Sequence, residues 1–139
     1  MNKEDIIRIL NYYELDKVRY VVISGVALTL LGIVDYAKDI DIYCDEEYYN
    51  YLIDNYGAVY ERTNEYGIDA YMIDGIINFS FSYKPNEEKI IDGIKCSSLK
   101  DIIELKEHLN RNKDKELLKT LKRLYVKSDN WFIVEMLLM

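Results

Sequence analysis

The chain has little that would make a covalent or metal-stapled framework: two cysteines, Cys44 and Cys96, far apart in sequence, and a single histidine, His108, among 139 residues. That excludes a disulfide scaffold and a Cys/His zinc module, both of which need several such ligands at close spacing. One proline and six glycines leave few breakpoints for long loops or linkers. No stretch approaches the 18 or so consecutive apolar residues of a membrane helix, and no secretory pattern opens at Asn2 to Asp5, so the cytoplasm is the expected location and no membrane partner is expected. Positive charge is also in deficit: 18 Lys and Arg stand against 25 Asp and Glu, a net charge of −7 that repels polyanions and argues against a broad grip on duplex nucleic acid. Basic residues do outnumber Asp114 and Glu116 between Lys113 and Lys127, which reads first as a solvated helix face and otherwise as a local surface for phosphates or an acidic partner.

What is present is a well-populated core. Half of the residues are hydrophobic, 14 of the 139 are tyrosine, and the length suits one domain spanning 1–139. Asn2 to Asp5 supply capping oxygens and acidic first-turn charge ahead of Ile6, Ile7 and Leu10 at helical spacing. Arg19 to Ser24 reads as a buried strand, Gly25 as a turn, and Val26 to Leu31 as a short helix stopped by Gly32. Asp39 to Cys44 alternates strictly, with Asp39, Asp41 and Tyr43 expected on one face and Ile40, Ile42 and Cys44 on the other. A helix follows from about Glu46 to Gly57. Ala58 to Thr63, Gly67 to Ile73 and Ile76 to Tyr83 read as strands, the last two joined by the hairpin signal Asp74-Gly75. Lys84 to Glu88 reads as a loop and Ile90 to Cys96 as a small hairpin turning at Asp92-Gly93. From Ser98 the periodicity is helical again: Ser98 with Asp101 resembles a capping box, Ile102, Leu105 and Leu109 form one apolar stripe, and Leu117, Leu121 and Leu124 form a second. The apolar tail from Trp131 to Met139 is expected to pack on the body or to make a homo-oligomer interface.

Asp39 and Asp41 carry the chemistry. Carboxylates at i and i+2 of a strand stand side by side, roughly 6 to 7 Å apart at their α-carbons, and their repulsion is relieved by a cation between them. Hard oxygen ligands select Mg²⁺, which is commonly held by one or two carboxylates together with substrate phosphates. An acidic pair on a solvent-facing edge strand is the plain structural alternative. Upstream, the Ser24-Gly25 turn at a helix start lets backbone N–H groups approach phosphate oxygens.

Val21-Val22-Ile23-Ser24-Gly25-Val26-Ala27-Leu28, then Gly32, then Lys38-Asp39-Ile40-Asp41-Ile42, resembles the signature of the nucleotidyltransferase superfamily with the DNA polymerase β-like palm. The closest likeness is to the small bacterial AbiEii-like, or minimal, branch. Ser98-Leu99-Lys100-Asp101-Ile102-Ile103-Glu104-Leu105-Lys106 with Lys113-Asp114 is similar to the helix pair that closes many members of that branch. The resemblance implies an α/β (α+β) fold, a mixed sheet of four to six strands flanked by helices on one side and closed by a C-terminal helical pair. It implies Mg²⁺ on Asp39 and Asp41, a nucleoside triphosphate held by Ser24, Gly25, Lys38 and Asp114, and Lys106 neutralising developing charge. The acceptor hydroxyl belongs to a small molecule, a protein or an RNA. Active members need a third carboxylate, for which Asp69 is the first choice; Asp74 is taken up by its turn, and Asn78 is the matching position if Ile76 to Tyr83 is the aligned strand. Ser24-Gly25 where two glycines are usual, Asp35 and Ala37 where an arginine and a threonine are usual, and Leu117 in place of a further aspartate thin the pattern. The alternative they leave open is a nucleotidyltransferase-like binding module without catalysis, of a toxin–antitoxin or defence system. His108 and Tyr43 read as surface and packing residues, and Cys44 as core.

Overall fold

The structure, a computed structural model, describes the backbone of residues 1–138 and the side chains of residues 1–127; the tail expected to pack or to pair, Trp131 to Met139, lies outside the described side chains. The chain gathers into two compact units, Met1–Ser98 and a second that begins at Leu99.

In the first unit, α1 (Lys3–Tyr12) starts at a capping box between Asn2 and Asp5 and buries Ile6 and Leu10. It leads to β1 (Tyr20–Val22), α2 (Ser24–Leu30), β2 (Ile40–Cys44) and α3 (Glu46–Asn55), the last capped by the Asp45 side chain. β3 (Val59–Thr63), β4 (Asp69–Ile73), β5 (Ile77–Ser80), β6 (Glu88–Ile91) and β7 (Ile94–Ser97) follow. Both expected hairpins form. Asp74 and Gly75 have φ of 50° and 67°, and Asp92 and Gly93 have 50° and 81°, the two left-handed residues that a tight turn between twisted strands needs.

All seven strands join one mixed sheet in the order β3-β4-β5-β2-β1-β7-β6. β2 runs parallel to β5 and β1 parallel to β7; the other pairs are antiparallel. The count exceeds the expected four to six because the hairpin at Asp92-Gly93 does not stay apart: Cys96 pairs with Val22 and draws β7 and β6 into the sheet.

One row across the sheet, Val22, Ile42 and Phe79, is at most 1% exposed. α3 packs on this face, with Tyr49 meeting Phe79 and Tyr71 edge-on at 5.7 and 5.8 Å between ring centres. α2 packs against β2 and β7. Each fully buried side chain of this kind contributes roughly 1.5 to 3 kcal/mol, so the alternation of β2 is enforced by its buried side.

The second unit holds α4 (Leu99–Leu109), a 3₁₀ turn at Asn112–Asp114 and α5 (Lys115–Leu138). Leu121 is fully buried, whereas Leu124 is 39% exposed, so the expected second stripe narrows along α5. Among the described residues no helix is long and apolar enough to cross a membrane.

Candidate active site

β2 places its chemistry by parity. Ile40, Ile42 and Cys44 fill the core, and Asp41 and Tyr43 stand half-buried on the other face. Asp39 is half-buried in the bend one residue before the strand, so strand alternation by itself does not orient it.

The backbone N–H of Ile23 donates to the Asp41 carbonyl at 2.9 Å, which places the Ser24-Gly25 turn directly beside Asp41. Ser24 adopts φ of 61°, a left-handed conformation that costs a non-glycine residue about 1 kcal/mol or more. No side chain caps the first turn of α2, and a methyl group added at Gly25 would meet nothing within 4 Å. The space above this turn is open. Lys38 is exposed nearby in sequence, as is Asp35, while Ala37 is buried and its backbone pairs with Met1.

On the other side of β2, Asp41 and Asn78 are direct partners across the parallel β2–β5 pair. Asn78 Nδ2 donates to Glu61 Oε2 on β3. Sequence reasoning missed Glu61, because Val59 to Thr63 gives no cue to which way it faces. A register shift between Tyr60 and Arg62 breaks the β3–β4 ladder beside it.

Asp69 is not brought together with Asp41. It shares its strand face with Tyr71, which pairs with Phe79, and so belongs to the face that buries Ile42, with β5 intervening. Its Oδ1 accepts from Thr63 at 2.7 Å and its carbonyl from Tyr49 at 2.8 Å. Asp74 stays in its turn and accepts from the Tyr13 hydroxyl at 2.6 Å; that bond, with burial and the carboxylate's charge, pushes the phenol up to about 12. Burial pushes the Cys44 thiol up to about 12, the neutral, unreactive form expected of a core residue. His108 is exposed.

In the second unit Lys106 Nζ lies 3.3 Å from Asp114 Oδ1, and Arg111 Nε donates to Asp114 Oδ2 at 2.8 Å. Both Lys106 and Asp114 are buried, and the Arg111 hydrogen bond together with the Lys106 charge offsets the cost of burying the carboxylate.

Among the described residues no three His, Cys, Asp or Glu side chains are grouped to hold a metal ion. Asp41 on β2 and Asp39 just before it offer carboxylate oxygens, ligands of the kind that would suit a magnesium ion sharing phosphate and water.

Two solved structures share this fold. One is a Thermotoga maritima protein described as a candidate nucleotidyltransferase, which is 19% identical, with a TM-score of 0.61, and is matched over 88% of this chain and 96% of that one. The other is the aminoglycoside nucleotidyltransferase ANT(2″)-Ia in complex with adenylyl-2″-tobramycin, which is 14% identical, with a TM-score of 0.55, and is matched over 94% of this chain and 90% of that one. This is a nucleotidyltransferase fold. No protein-family model matches the sequence, and no curated protein matches it. Within the nucleotidyltransferase fold, the row formed by Ile23, Asp41 and Asn78 marks the juncture of the turn, the acidic strand and its parallel neighbour.

Proposed function

We propose that the protein is an enzyme that transfers a nucleotidyl group from a nucleoside triphosphate to a hydroxyl of an acceptor. The supporting observation is the Ile23–Asp41 hydrogen bond, which holds an open, uncapped Ser-Gly turn against an acidic strand end within a nucleotidyltransferase fold. Phosphates need N–H donors and a counter-cation at one place; the turn would offer the first and the neighbouring aspartates would hold the second.

In this reading Asp39 and Asp41 hold a magnesium ion, which when bound would offset phosphate charge. The backbone at Ser24 and Gly25 receives the phosphate oxygens, with the missing side chain at Gly25 allowing close approach. Lys38, exposed and adjacent to Asp39, adds a positive charge on the approach. Catalysis of this type rests on positioning and on charge stabilisation in the transition state.

The test is ligand-dependent stabilisation. Mg²⁺ with a nucleoside triphosphate at a hundredfold excess over Kd should stabilise the protein by about 2.7 kcal/mol, seen as a raised Tm. Asp39→Asn combined with Asp41→Asn should remove that rise. A rise of equal size in the double variant would refute the site.

A further inference from the structure

In-line displacement at phosphorus puts the nucleophile and the leaving group on opposite sides of the reacting atom. Strand order sets those sides here. β2 lies between β1, which ends in the Ser24-Gly25 turn, and β5, which leads outward to β4 and β3. With the triphosphate tail at the turn, pyrophosphate departs on the β1 side, and the acceptor comes in over β5, β4 and β3.

That approach is furnished. Asn78, the register partner of Asp41, carries a neutral amide that cannot take a proton at ordinary pH. It donates instead to Oε2 of Glu61, which leaves Oε1 of that carboxylate for another partner. Glu61 is exposed and, with Val59, Tyr60, Met72 and Asp74, lines an open cavity of about 270 Å³. Among the described residues Glu61 does not group with Asp39 and Asp41 to hold a metal ion.

We propose that Glu61 is the general base for the acceptor hydroxyl, that Asn78 positions it, and that the cavity beside it receives a small hydroxyl compound. The inference rests on the nucleotidyl-transfer reading. In the step it describes, the hydroxyl proton passes to Glu61 Oε1 as the hydroxyl oxygen bonds to the α-phosphorus. The bond from that phosphorus to the bridging oxygen breaks, and pyrophosphate leaves with the electron pair.

The experiment uses the full chain, Mg²⁺, α-labelled nucleoside triphosphates and a metabolite fraction freed of protein and nucleic acid, with total RNA and total protein as separate acceptor arms. Glu61→Gln and Glu61→Ala should lower kcat on the order of 10² to 10⁴-fold while leaving the nucleotide KM, and the Tm rise with an α,β-methylene triphosphate, unchanged. Formate should restore part of the rate to Glu61→Ala and none to Glu61→Gln, because only the smaller side chain leaves room for a replacement carboxylate. Asn78→Leu should reduce kcat without changing nucleotide binding. Wild-type turnover by Glu61→Gln, a parallel loss of nucleotide affinity, or label confined to the RNA or protein arm would each overturn the proposal while sparing nucleotidyl transfer. A wild-type protein that neither binds nor transfers nucleotide would instead remove the transfer reading, and this inference with it.

Discussion

The Lys106 ammonium lies 3.3 Å from Asp114 Oδ1, with 10% and 9% of the two side chains exposed, and Arg111 closes the other carboxylate oxygen at 2.8 Å. Asp114→Ala would strand the Lys106 charge away from water and is expected to cost about 3 to 5 kcal/mol in urea unfolding. Acid should reveal the same contact. Burial alone would raise the Asp114 pKa, but the Arg111 hydrogen bond and the charges of Lys106 and Arg111 outweigh it and hold the carboxyl below its ordinary 3.8. Such a group stabilises the fold above its unfolded pKa and loses that contribution as pH falls through the lowered folded value. Between about pH 4 and lower pH, wild type should therefore lose stability more steeply than Asp114→Asn. Equal slopes would show that the pair does not couple folding to protonation.

At the turn beside Asp41, two substitutions should separate stability from ligand binding. Ser24→Gly relieves a left-handed serine and should raise stability by about 1 kcal/mol, with the Mg²⁺–triphosphate Tm rise retained. Gly25→Ala meets no neighbour and replaces a helical glycine, a gain of up to about 1 kcal/mol. The added methyl group should nevertheless block close phosphate approach and weaken nucleotide binding by about tenfold or more, a loss of about 1.4 kcal/mol. Unchanged nucleotide affinity in Gly25→Ala, measured by titration calorimetry, would show that phosphate does not approach the turn.

The two thiols should be silent in the native protein. Burial pushes Cys44 up to about 12 and Cys96 up to about 11, and both lie in the core. At pH 8 an aromatic disulfide reagent should label neither thiol until denaturant is added, then both. Reaction of either one in native buffer would place that strand at a frequently opening part of the sheet.

Much of the local structure could be read from the chain because its causes lie within a few residues. Asn2 and Asp5 close their own capping box, and the alternation of Ile40, Asp41, Ile42 and Tyr43 separates core from open face. Asp74-Gly75 and Asp92-Gly93 turn tightly because each pair tolerates positive φ. The acidic pair and the Ser-Gly turn were legible for the same reason, and so was the nucleotidyltransferase-like fold they resemble.

The sequence by itself thus determined where α1 and α3 start, where the two hairpins turn and that Asp41 stands on the open side of β2. Only the tertiary structure decided who faces whom. Asp69 looked suitable because it is acidic and lies in a strand, but the β4–β5 register puts it on the face of Tyr71 and Phe79. Glu61 had no such signal, and acquires its place through a shifted ladder on β3 and the amide of Asn78. A one-residue change of register reverses every side chain in a strand, and register is set by pairing between segments far apart in the chain, where local periodicity carries no information.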